Sequence, residues 1–110
     1  MIPRLRLRRG IDFRHVYSSR QARHGKLMVL HWADNTLGHP RIGFSISTKV
    51  GGSVERNLVK RRLRDVTRPL LADSTRGVDL VVVARPVAAT APFPQLEAEF
   101  RALATQVLGL

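Results

Sequence analysis

Apolar positions along this chain follow two periods, and the switches between them mark out its elements. Phe13, Val16 and Tyr17 recur at i, i+3 and i+4, which predicts a short amphipathic helix capped by Asp12 and running to about Arg20. Lys26 to Ala33 reads as a strand, and Asp34 to Pro40 is turn material. A second strand runs from Arg41 to about Lys49, where Ile42, Phe44 and Ile46 alternate with Gly43, Ser45 and Ser47. Gly51 and Gly52 form a loop, and Ser53 is placed to cap a long helix that Pro69 should disturb or end near its last turn. Val78 to Ala84 is β-branched and almost continuously apolar, as expected of a central strand buried on both faces. Arg85 and Pro86 stop it, and a last helix from about Pro94 to Leu108 sets Leu96, Phe100, Leu103 and Val107 on one side. The order is therefore α, β, β, α, β, α, with room for a further short strand between Gln21 and Gly25. This predicts an α+β fold: a small αβ sandwich with a split βαβ unit, its central sheet carrying packed helices.

Charge changes this picture most in the long helix. Successive helical residues turn by about 100°, so Val59, Leu63, Val66 and Leu70 share an apolar sector while Asn57, Lys60, Arg61, Arg64 and Arg68 share another. Arg56 flanks the basic sector, and Arg62 lies off it, near the polar edge of the apolar stripe. Solvated helix faces usually mix signs to gain i,i+4 pairs. From Lys49 to Arg68 there are seven basic residues against two acids, so this face is built to meet a polyanion.

The chain has 110 residues, 44% of them hydrophobic, which suits one domain with a single modest core over residues 1–110, residues 1–6 forming a loose basic lead. It lacks an apolar run of bilayer length, a leader-like apolar segment and any cysteine, so a cytoplasmic protein without disulfides or thiolate metal sites is expected. The formal net charge of +11 is unevenly placed. Residues 1–26 carry eight basic side chains and one acid, whereas residues 69–110 carry three against four. The basic surface belongs to the first two thirds of the chain.

Candidates for autonomous chemistry are few. Asp12, Asp34, Asp65, Asp73 and Asp79 are scattered, and no pair sits at the spacing that would hold two metal ions. His15, His24, His31 and His39 lack metal-ligand spacing, and Lys49-Val50-Gly51-Gly52-Ser53 lacks the ending of a nucleotide-binding loop. No catalytic and no metal-binding residue is assigned. Phe44 and Phe100 fit packing positions, while Phe13 and Tyr17, one helical turn apart beside a basic segment, fit either a core or a surface on which unpaired bases stack.

These residues resemble a family, the protein component of bacterial ribonuclease P. The resemblance runs from Leu7-Arg8-Arg9, Asp12-Phe13 and Val16-Tyr17, through Arg41 to Gly51 and Val54 to Arg61, to Asp79 to Pro86, covering roughly residues 5 to 105. It implies a sandwich like the second domain of a small-subunit ribosomal protein, with a left-handed crossover through the basic helix. It further implies two RNA partners: a catalytic RNA, which holds the Mg²⁺ and performs the hydrolysis, and precursor tRNA, which loses its 5′ leader.

Residue by residue, the resemblance places Arg56, Asn57, Lys60 and Arg61 against the catalytic RNA, with Lys49, Arg64 and Arg68 extending that surface. Phe13 and Tyr17 fall where the first helix lines a cleft for the leader, and His31 falls at a strand position often aromatic in the family. Leu58 departs from the pattern, which usually has arginine there, and Arg62 or Arg64 is placed to compensate. Thr48 departs as well, replacing the first of two lysines. Other classes remain open from the residues alone: a general RNA-binding or ribosomal protein without leader specificity, a DNA-binding protein using the basic helix, and an autonomous nuclease. None of these readings involves a membrane or a small-molecule substrate.

Overall fold

The computed structural model describes residues 5–110. Three helices, α1 (Ile11–Ser18), α2 (Ser53–Asp73) and α3 (Phe93–Ala104), accompany four strands, β1 (Ala22–His24), β2 (Met28–Asp34), β3 (Arg41–Ser45) and β4 (Val78–Ala84). The strands form one sheet in the order β1-β2-β4-β3. β4 is antiparallel to β2 and parallel to β3, so the strand with the most continuous apolar run takes a fully paired interior position. The parallel strands joined through α2, β3 and β4, pair directly, so the βαβ unit is not split as expected; β4, the most apolar strand, lies instead between the consecutive strands β2 and β3.

Alternation along the strands divides the apolar material between two faces. Met28, Leu30, Ile42, Phe44, Leu80 and Val82 meet Val59, Leu63, Val66 and Leu70 of α2 and Leu96, Phe100 and Ala104 of α3 in the larger core. The opposite face carries a smaller core of Leu7, Phe13, Val16, Ala33 and Val81 beneath α1. The apolar stripe expected on α2 is buried throughout, which leaves its basic sector outward.

Several boundaries differ from the sequence expectation, each for a local reason. Asp12 is not the cap of α1 but lies in its first turn, where its carboxylate accepts the Arg8 backbone N–H at 2.6 Å. Gly10 holds the cap position at φ 82°, a conformation that disfavours any residue with a Cβ. Ser53 is likewise the first residue of α2, after an extended Gly52, and makes no capping hydrogen bond. Pro69 sits inside the last turn of α2 without ending it, because buried Leu70 and Leu71 keep the following residues packed on the sheet. β3 ends at Ser45, so Lys49 lies in a turn. The last helix ends at Ala104 and passes into turns that still bury Val107 and Leu108.

Residues 1–4 of the expected loose lead lie outside the described residues. Arg6 forms a parallel bridge with Ile42, and the Leu7 backbone N–H donates to the Ile42 carbonyl at 2.9 Å, so residues 6 and 7 are held along the β3 edge. At the other end of the sheet, the Glu99 carboxylate of α3 accepts the backbone N–H groups of Lys26, Leu27 and Met28 at 2.7–2.9 Å. That staple ties α3 to the start of β2.

Gly43 lies on the α1 face of β3, and a Cβ there would overlap the Phe13 ring. The alternation noted in the sequence thus places Gly43 under a buried aromatic rather than toward solvent. Gly43→Ala is expected to destabilise the fold by about 1–3 kcal/mol, the usual range for overpacking a filled core. Urea unfolding measures this directly, and an unchanged midpoint would mean that Phe13 moves aside freely.

Candidate nucleic-acid interface

The basic surface is assembled from two separate stretches of chain. α2 presents Arg56, Asn57, Lys60, Arg61 and Arg64 outward because its apolar stripe is consumed by the larger core. The N-terminal segment, fixed on β3 through Leu7, brings Arg6 and Arg9 to face Lys60 and Arg64. Between them lies a cavity of about 250 Å³ floored by Phe13, Ile42, Gly43 and Phe44. The Arg9 guanidinium donates to the Phe44 carbonyl at 2.9 Å and lies 4.9 Å over the Phe13 ring, a cation–π arrangement that fixes its position.

Two shallower depressions adjoin this cavity. One is lined by Arg9, Phe44, Ile46, Arg56, Asn57 and Lys60, the other by Val54, Asn57, Leu58, Lys60, Arg61 and Arg64. Lys60 lines all three concavities and is their hub. Burial, followed by repulsion from Arg64, Arg9 and Arg6, lowers its pKa from the ordinary lysine value. Cations held this close without an acidic partner in any of the three linings form a site whose repulsion a phosphate would relieve.

Not every expected cation joins this surface. Lys49 is exposed in the turn after β3 and lines none of the three concavities. Arg68 continues the helical row but lies 3.8 Å from Asp65, outside them. Of the two residues placed to compensate for Leu58, Arg62 turns away, its Nη1 3.5 Å from the Ala91 carbonyl, whereas Arg64 lines the basic cavity. Arg6 and Arg9 were missed as site residues by sequence reasoning. The available signal was the alternation Leu5-Arg6-Leu7, which fits a segment with one face on the sheet edge.

A second surface lies along α1 and β2. The Tyr17 ring is 39% exposed and meets His31 edge to face, with centroids 5.0 Å apart and planes at 87°. Phe13 lies 6.3 Å from Tyr17 at 80° but is only 7% exposed, closed off by Gly43 below and Arg9 above. Tyr17 is therefore the accessible ring, His31 its support, and Phe13 part of the core beneath. Burial, with the nearby His24, lowers the His31 pKa, so this imidazole stays neutral at pH 7.

A charged network links α1, β3 and β4. Arg41 makes a bidentate pair with Asp79, 2.9 Å from Nε to Oδ1 and 2.8 Å from Nη2 to Oδ2, and Asn35 Nδ2 donates to Asp79 Oδ1 at 2.8 Å. Arg41 Nη2 also lies 3.8 Å from Asp12 Oδ1. Asp79 is 1% exposed, so these groups are structural and hold β3, β4 and α1 in register. Among the described residues no three His, Asp or Glu side chains converge to hold a metal ion, and no helix is long and apolar enough to cross a membrane.

Known proteins resemble this chain in sequence and in fold. The family model described as Ribonuclease P matches residues 1–108. The ribonuclease P protein component of Kocuria rhizophila is 42% identical over 110 residues, covering 97% of this chain and 96% of its own. That of Thermoanaerobacter sp. is 33% identical over 99 residues, with 90% and 85% covered. The solved structure of the Staphylococcus aureus RNase P protein superposes with a TM-score of 0.83 at 24% identity, covering 94% of each chain, which establishes the likeness of fold.

Proposed function

Since the chain belongs to the ribonuclease P protein component family, we propose that it binds the catalytic RNA of that ribonucleoprotein and the 5′ leader of precursor tRNA, assisting RNA-catalysed removal of the leader. Membership makes it the protein component of an endoribonuclease assembly with an RNA partner, and tRNA 5′ maturation is the process that follows. The catalytic centre is assigned to the RNA, which holds the Mg²⁺ needed for hydrolysis.

The single observation that carries the proposal is the convergence of Arg6, Arg9, Lys60 and Arg64 around one cavity with no acid in its lining. Such a cluster positions phosphodiesters and lessens the repulsion between two RNA chains brought together. Arg56, Asn57 and Arg61 widen the same surface, and Lys49 and Arg68 border it as outlying phosphate contacts. The leader is assigned to the surface of Tyr17 and His31, with Phe13 as the core residue that props Tyr17.

The test is cleavage of precursor tRNA by the purified chain with and without a bacterial ribonuclease P RNA at low Mg²⁺. Cleavage is expected only with the RNA, and faster than by the RNA alone. Cleavage by the protein alone, or no stimulation, overturns the proposal. Tyr17→Ala is expected to weaken precursor tRNA binding by roughly tenfold, within the range of one lost base stack, and to leave mature tRNA binding unchanged. Equal loss on both ligands would remove the leader from this surface.

A further inference from the structure

The depression next to the cationic cavity differs from it in one respect: its apolar side chains belong to neither core. Its lining combines Asn57, Lys60, Arg61 and Arg64 with two apolar side chains, Val54 and Leu58, one helical turn apart on α2. Val54 is 77% exposed in the first turn of the helix. A β-branched residue there adds nothing to helix propensity and no buried area to the core, so the fold gives no reason for it. Leu58 is half-buried and belongs to neither core.

We propose that this depression receives an unstacked nucleobase of the RNA partner, rather than a phosphate. Exposed aliphatic side chains offer a phosphate no hydrogen bond and would desolvate it, whereas they suit the flat apolar face of a base. The Asn57 carboxamide, with one acceptor and two donors, is suited to the base edge, and Lys60, Arg61 and Arg64 are placed for the phosphates on either side. The charge of the lining selects the occupant: an apolar peptide would leave three cations unpaired, while a nucleotide satisfies the apolar pair and the cations together. The inference rests on the RNA-interface reading above and gives it a contact that reads a base.

Binding of a bacterial ribonuclease P RNA to Leu58→Ala, Leu58→Arg, Val54→Ala and Lys60→Ala variants, across a salt series, separates the possibilities. Leu58→Ala should weaken binding about 3- to 10-fold and Val54→Ala about 2- to 3-fold, both with the wild-type salt slope, since only apolar contact is lost. Val54 is too exposed for its truncation to unfold the chain, so the pair remains interpretable whatever Leu58 does to stability. Leu58→Arg should bind no more tightly than wild type. Tighter binding by Leu58→Arg, or wild-type affinity for both alanine variants, overturns the base site and returns the depression to phosphate. Lys60→Ala should lower both affinity and slope; if it changes neither, the RNA-interface reading itself fails rather than the base site alone.

Discussion

Arg41→Ala is expected to be the most destabilising single change in this protein, by about 3–5 kcal/mol, against the roughly 5–15 kcal/mol that holds a domain of this size together. The reason is what it leaves behind. Asp79 is 1% exposed within a strand paired on both sides, and Arg41 supplies two of its three side-chain hydrogen bonds. Truncation leaves the buried Asp79 side chain with Asn35 as its only remaining hydrogen-bond partner. Replacing both partners, as Arg41→Met with Asp79→Leu, should recover most of the loss, because the uncompensated charge is then gone. Urea titration of the two single variants and the double variant measures the coupling, and a coupling near zero would mean that water or a moving side chain replaces Arg41.

The same substitution carries a pH signature. Burial alone would raise the Asp12 pKa, but hydrogen bonds from the Arg8 backbone and side chain, and the charges of Arg41 and Arg8, outweigh it and lower it. A carboxyl lowered in the folded state stabilises the fold above its unfolded pKa, near pH 4, and that stability is lost as pH falls through the folded value. Removing Arg41 reduces the lowering, so the Asp12 contribution becomes smaller and disappears at a higher pH.

Assembly with RNA should be the most salt-sensitive property of the chain. Six cations, Arg6, Arg9, Arg56, Lys60, Arg61 and Arg64, line the joined concavities. If each neutralises one phosphate on duplex RNA, a slope of about −0.9 per contact predicts a loss of roughly 10³ in affinity between 50 and 200 mM monovalent salt. Lys60→Ala should reduce the slope by about one unit, and Arg68→Ala, outside the concavities, by much less. A flat salt response would sink the interface. Equal slopes for the two variants would show that charge anywhere along α2, rather than the cavity, governs binding.

The resemblance to the ribonuclease P family was legible because its blocks are contiguous, and the basic helix was legible because its two stripes obey one period. β4 was legible to the residue for a related reason, since only a strand buried on both faces needs seven nearly unbroken apolar positions. The helix starts were not. Asp12 and Ser53 have the chemistry of caps, but Gly10 and Gly52 hold the cap positions, so α1 begins two residues and α2 one residue earlier than the polar side chain suggests.

By itself, then, the sequence determined which faces are charged, which are buried and which family the chain resembles, because these follow from side chains close together along the backbone. Tertiary structure decided what meets across the sheet. Leu7 docking beside Ile42 delivers Arg6 and Arg9 to a helix some fifty residues away in the chain, and only the strand order β1-β2-β4-β3 makes that approach possible. It also decided that Phe13 is core while Tyr17 is surface, that Arg62 turns away while Arg64 joins the cavity, and that Leu58 lines one depression with Val54. Periodicity assigns a side chain to a face of its own element; the packing of other elements on that face then sets its exposure and its partners.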